Sequence, residues 1–363
     1  MYETNGVMPI SGFSQHAIDD GRADWMARDL EDKSLWSFTL TQEQKSTLDT
    51  AFANAKATKL SIQELSRENF PLVDMAPLFE RIQFELEQGR GLFLLRGFPV
   101  DAYSKADLRY MYVGFCQHLG VAVSQSSGGD YIGDVRNFNV DVNSRNGRAY
   151  TSKQRLTFHS DQADVVGLLV LRTAKFGGLS KLASALAVRN EIARTRPDLL
   201  EVLHQPFCWS WQGQQPTGAS EWYRQPIYTE CEGRFSSYYI RTHIISAQRY
   251  EDVPRLTVQQ IEAMDLIDAL AGSEKFHLSM MFETSDLQFL NNHVILHSRT
   301  AFEDYEEDDR KRHLLRIWLS VPNSRPLHEG MHTLFQDRRP GAVRGGFPSR
   351  DGRQVFETTV SVT

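Results

Sequence analysis

The chain has 363 residues, 41% of them hydrophobic, which is enough apolar material for a sizeable core. Its net charge of −6 and pI near 6.0 argue against a nucleic-acid surface or an anionic membrane as partner. Cys116, Cys208 and Cys231 are far apart and form no CxxC, so they read as reduced thiols rather than a disulfide framework. The opening MYETNGVMPISGFSQ lacks the basic and apolar regions of a signal peptide, and no apolar run approaches a membrane span. A cytoplasmic globular protein is expected, either monomer or homo-oligomer.

The first hundred residues predict helices. TQEQKSTLDTAFANAKA (41–57) has helical spacing, with Thr41 and Gln44 placed for a capping box. APLFERIQFELEQGRG (76–91) is loosely amphipathic through Leu78, Ile82, Phe84 and Leu86, and Gly89 or Gly91 would end it. GLFLLRGF (91–98) is a compact apolar strand. SKADLRYMYVGFCQHLG (104–120) reads as a helix with Ser104 as N-cap and Gly120 just past its end. From about residue 130 short strands dominate, at 131–136, 165–173, 207–212, 225–230, 234–241, 276–283, 287–290, 293–297 and 312–321. Helices over 185–195 and 256–271 interrupt them. The pattern predicts a mainly β fold with flanking helices, a sandwich or jelly roll, in a single domain. Residues 1–90 would form a helical layer, 91–325 the core and 326–363 a tail, in which DRRPGAVRGGFPSR reads as solvated.

TFHSDQADVV (157–166) places His159 and Asp161 one residue apart, just ahead of the apolar VVGLLVLR. In extended backbone, residues i and i+2 share a face, so the imidazole and the carboxylate would aim at one point. Such a pair arises by chance about once in a chain of this composition, so alone it reads as readily as a hydrogen-bonded pair at a strand edge. FLNNHVILHSRTAFEDYEEDDRKRHLLRIWLSV (289–321) adds a third candidate, His297, at the end of a short apolar strand. Two imidazoles and one carboxylate on one face leave three coordination positions open, the arrangement of non-haem Fe(II) oxygenases. A Zn²⁺ hydrolase could use the same residue types.

Arg312 and Arg316 lie four residues apart on the predicted strand RHLLRIWLSV and therefore share a face. A guanidinium buried there needs a carboxylate, which 2-oxoglutarate would supply. Two exposed arginines balancing the EEDD loop are the plainer alternative, and they sit poorly with so apolar a strand. Arg241 follows the Tyr pair of SSYYIRTH on a predicted strand, and is either a substrate contact or a surface arginine. Gln125, in VAVSQSSGGDYIG, precedes a Gly-rich loop that could be a pocket rim or a plain loop. His293 and His313 read as packing, and Trp209, Trp211 and Trp222 as core more than pocket lining.

These motifs together, HSD, His297 with RTAFED, and RKRHLLRIWL, resemble the TauD/TfdA-type Fe(II)/2-oxoglutarate-dependent dioxygenases, which include clavaminate synthase and the asparagine and arginine β-hydroxylases. The resemblance runs from GRGLFLLRGFPVD (89–101) to the RHLLRIWL strand. It implies a double-stranded β-helix (jelly-roll) core with His159, Asp161 and His297 as iron ligands. It implies that Arg312 binds the distal carboxylate of 2-oxoglutarate, assisted by Ser180 of KFGGLSKLAS. Arg316 would contact an acidic group of a small-molecule substrate. Several amino-acid hydroxylases of the family carry Glu where this chain has Asp161. The implied reaction consumes O₂ and releases succinate and CO₂, most simply with hydroxylation of an amino acid or other carboxylate. Desaturation or oxidative cyclisation at the same centre, and a jelly-roll sensor that binds metal without turnover, are the rival readings.

Overall fold

The computed structural model describes residues 13–138 and 152–357. Its larger sheet has seven strands. Six run in the order Ser37–Thr39, Leu92–Arg96, Leu287–Asn291, Val165–Arg172, His313–Ser320 and Val121–Val123, and Ile132–Val135 also pairs with His313–Ser320. A second sheet orders His277–Met280, Ser180–Ser184, Ile295–Arg299 and Leu156–His159. Both sheets contribute to one apolar cluster, with Val166, Val170, Leu290, Leu314 and Trp318 from the first and Phe158, Leu182, Ile295 and Leu296 from the second. This is the expected jelly roll.

Strands that are apolar on both faces have to be covered on both, and that need organises the molecule. In Val165–Arg172, Val166 and Val170 face the inter-sheet core while Val165, Leu169 and Leu171 face outward into a second cluster. Leu314 against Leu315 and Ile317, and Leu94 against Phe93 and Leu95, divide in the same way. The outward cluster is closed by Leu48, Ile82, Leu108 and Phe115 from three helices, Gln42–Ala57, Ala76–Glu87 and Lys105–Cys116. These match the predicted helices of the first hundred residues. The capping box at Thr41 and Gln44 is formed, and the Ser104 hydroxyl accepts from the Asp107 N–H. No helix among the described residues is long and apolar enough to cross a membrane.

Four expectations need correction. The predicted 225–230 strand is two, Trp222–Pro226 and Tyr228–Cys231. Pro226 has no N–H to continue the ladder, so the chain leaves its partner Pro206–Ser210 there and pairs next with Arg234–Ser237. The predicted 234–241 strand stops at Ser237, and Arg241 instead opens the helix Arg241–Ala247. His159 and Asp161 do not lead straight into the Val165–Arg172 strand. His159 ends Leu156–His159 in the smaller sheet, and Asp161 lies in the crossing to the larger one.

The fourth correction concerns the C-terminal segment, which is solvated only in part: Arg338, Arg339, Pro340 and Val343 are exposed, but the RGGF run is not. Arg344 is 2% exposed and donates from Nε to Asp164 (2.8 Å). Gly345 and Gly346 adopt φ of +76° and +69°, and a Cβ on Gly346 would come within 2.6 Å of the Ser124 carbonyl oxygen. The RGG run serves close backbone approach, which glycine alone allows at positive φ.

Candidate active site

Leu156–His159 and Ile295–Arg299 are hydrogen-bonded neighbours, and their register sets His297 opposite His159. The two imidazole centroids are 4.2 Å apart. Asp161, two residues past the strand end, is held by its N–H donating to Asn292 Oδ1 (3.0 Å), and its Oδ2 lies 3.8 Å from His297 Nε2. One ligand atom from each of His159, Asp161 and His297 falls within a mutual 4.8 Å. Secondary contacts prepare the donors. His159 Nδ1 is 2.8 Å from the Thr157 carbonyl, so it carries the proton and Nε2 keeps its lone pair. Burial pushes both imidazoles below their usual range, His297 to about 3, so both are neutral at physiological pH. Burial raises the Asp161 carboxyl, but its neighbours, the Arg316 guanidinium first, lower it by more, so the net shift is down and it is ionised. Two neutral imidazoles and a carboxylate at one point form a donor set for a divalent transition metal.

Beside this cluster a cleft, partly open to solvent, runs between the sheets, and its lining includes Ser180, Leu168, Leu314, Arg299, Arg312 and Arg316. Arg312, Leu314 and Arg316 all reach it, as alternation on one strand face requires. Arg312 is 5% exposed, and its Nη1 has no hydrogen-bond partner among the described residues. Burial and the neighbouring Arg299 push it down to about 9, which still leaves a cation at neutral pH. A buried guanidinium in this condition fits an anion that arrives from outside.

The other candidates are placed differently. Arg316 donates from Nε to Gln125 Oε1 (2.7 Å), approaches the Asp161 carboxylate with Nη1 (3.4 Å), and lies over the Trp318 ring. Gln125 is not a pocket rim. It is 2% exposed beneath Arg316, and its amide donates to the Arg316 carbonyl (2.8 Å) and the Tyr131 carbonyl (3.1 Å). Arg241 is not in the cleft lining and pairs with Asp265 (2.6 Å) and Asp268 (2.7 Å) on the helix Val258–Gly272. The flanking histidines are packing, as expected, with His293 bonded to Asp164 (2.8 Å) and His313 bonded to Asp134. The tryptophans are largely core, Trp209 fully buried with its indole donating to the Gln225 carbonyl. Arg299 went unpredicted, although it follows His297 by two residues on the same strand. The i, i+2 alternation applied at His159 would have found it.

A family described as "Taurine catabolism dioxygenase TauD, TfdA family" matches residues 56–318. The chain belongs to this family. TauD/TfdA membership makes it a non-haem iron, 2-oxoglutarate-dependent oxygenase, and the donor set and the unmet Nη1 of Arg312 fit that iron and that diacid. FR-33289 synthase of Streptomyces rubellomurinus is 30% identical over 86% of this chain and 93% of its own length. A taurine hydroxylase-like protein of Stachybotrys chartarum is 27% identical over 86% of this chain and 83% of its own. Among solved structures, an asparagine oxygenase with Fe(II), 3-hydroxyasparagine and succinate superposes with a TM-score of 0.61 at 17% identity, covering 78% of this chain and 93% of that one. The non-haem iron oxygenase OrfP, with Fe, succinate and (3S)-hydroxy-L-Arg, gives 0.59 at 15%, covering 78% and 94%. At these identities the two structures speak to the fold.

Proposed function

We propose that this enzyme hydroxylates a small anionic metabolite, an amino acid or related carboxylate, with 2-oxoglutarate and O₂ consumed and succinate and CO₂ released. The balance is R–H + 2-oxoglutarate + O₂ → R–OH + succinate + CO₂. The observation that carries the reading is the adjacency of the His159–Asp161–His297 cluster to a cleft holding a buried Arg312 whose Nη1 has no hydrogen-bond partner among the described residues. In this reading His159, Asp161 and His297 hold the iron, which supplies the oxygen activation that no side chain here can. Arg312 receives the far carboxylate of 2-oxoglutarate, and Ser180, also in the cleft lining, contributes its hydroxyl. Leu168, Leu314 and Phe282 line the same cleft and lower the polarity around these contacts, which strengthens them.

Arg316 is the substrate's anchor. Gln125 accepts from its Nε and donates to its backbone carbonyl, which fixes Arg316 in the cleft lining beside Asp161. A monoanion seated there would lie next to Asp161 and hence next to the metal. Product assignment in the relatives supports this class, since the named ligands of the superposed oxygenases are hydroxylated amino acids.

The test is aerobic incubation with Fe(II), 2-oxoglutarate and a panel of amino acids and other small anions, read by mass spectrometry. A product one oxygen atom heavier, formed in proportion to succinate, is the expected result. A product two hydrogens lighter would replace hydroxylation by desaturation or ring closure. Absence of succinate with every compound, in protein shown to bind iron and 2-oxoglutarate, would favour a sensor.

A further inference from the structure

We infer that Arg299 is a second cationic anchor for the cosubstrate, so that the distal carboxylate of 2-oxoglutarate is held in a two-arginine clamp rather than by Arg312 and Ser180 alone. The inference rests on the proposed cosubstrate site and adds a residue to it. Arg299 is 5% exposed and lines the same cleft as Arg312 and Ser180. Strand register places it directly opposite Ser180. The guanidinium carbons of Arg299 and Arg312 lie 4.7 and 5.1 Å from the centroid of one ring, Phe302, so the two cations share an aromatic support.

The hydrogen-bond inventory separates an anchor from a mere brace. Arg299 Nη2 donates to the Ser152 and Gln154 carbonyls (2.8 and 2.6 Å), a task a neutral amide could perform. Its Nε and Nη1 are buried with no hydrogen-bond partner among the described residues. Burying a charge to brace two carbonyls, with two further donors left unmet, is costly unless something else occupies those donors. The nearby charges point to what that is. Among the described residues Asp304 is the one carboxylate acting on both arginines, and its Oδ1 already accepts from the Arg312 backbone N–H. Two guanidiniums against one carboxylate leave a single positive charge uncompensated. One terminal carboxylate cancels it.

The experiment is anaerobic calorimetric titration of the Fe(II)-loaded enzyme with two ligands, 2-oxoglutarate and 2-oxopentanoate, which has the same chain without the distal carboxylate. In Arg299→Met, affinity for 2-oxoglutarate should fall about 10- to 100-fold, the worth of a charge-assisted pair, while 2-oxopentanoate binds as in the wild type. Arg299→Lys should recover part of the loss, because it restores the charge without the two backbone bonds. Equal losses for both ligands would make Arg299 a brace and overturn the inference. Arg312→Met gives an answer that does not depend on how Arg299 variants fold. Combined with Ser180→Ala, which removes the other anchor, this variant still prefers 2-oxoglutarate to 2-oxopentanoate if Arg299 is an anchor, and loses the preference if it is not. Wild-type enzyme that showed no preference would instead refute the cosubstrate site itself.

Discussion

Arg312 and Arg316 sit four residues apart on one face, yet their surroundings divide their work. Arg312 has a buried, unmet Nη1 beside Arg299, whereas Arg316 is tied to Gln125 and to the Asp161 carboxylate. Arg312→Ala should therefore raise the requirement for 2-oxoglutarate about 10- to 100-fold and leave that for the prime substrate nearly unchanged, with Arg316→Ala doing the reverse. Paired titrations, each ligand varied while the other saturates, would show it, and identical behaviour of the two variants would refute the division. At this scale the sequence was informative where chemistry is carried by scarce residue types at short spacing. His159 with Asp161, and His297 with Arg312, could be picked out for that reason. Gln125 was misread because its meaning depends on Arg316, 191 residues further along, and Arg241 because its acidic partners lie on another helix.

Between residues and molecule stands the strand that is covered on both faces. Val165–Arg172 crosses the centre of the larger sheet, and at Gly167 its outward face packs against Tyr112 of the helical layer. A Cβ there would lie 2.5 Å from the Tyr112 hydroxyl and 2.9 Å from both Ile317 and Phe289. Gly167→Ala should lower stability by about 1–3 kcal/mol through overpacking, seen as a reduced denaturant midpoint with an unchanged slope. A midpoint at or above the wild-type value would show that the layer can give way. Local signals made the elements readable, as at Thr41 with Gln44 and at Ser104, where a cap and its partner are three residues apart. The C-terminal RGG was misread for the opposite reason. Glycine and arginine mark a solvated loop and a backbone threaded through a tight gap equally well, and what decides is Asp164, 180 residues from Arg344.

The molecule as a whole buries several histidines in the neutral form, and this sets its response to acid. Burial pushes His293 down to about 4 and His204 to about 3, against an ordinary value of 6.5. Below pH 6.5 the unfolded chain takes up protons that the folded one refuses, so stability is fully present above 6.5 and is lost as pH falls toward the folded values. Each group contributes a slope of about 1.4 kcal/mol per pH unit across that window, so the two together should remove about 2–3 kcal/mol between pH 6.5 and 5.5. Denaturant titrations at the two pH values measure this, and equal midpoints would contradict it. The central claim, that His159, Asp161 and His297 hold iron beside a 2-oxoglutarate site, is tested most directly by an anaerobic visible spectrum of metal-free protein given Fe(II) and then 2-oxoglutarate. A weak metal-to-ligand charge-transfer band is expected that needs both additions and is absent from His297→Ala. No band in the wild type, or a band that survives in His297→Ala, would contradict it.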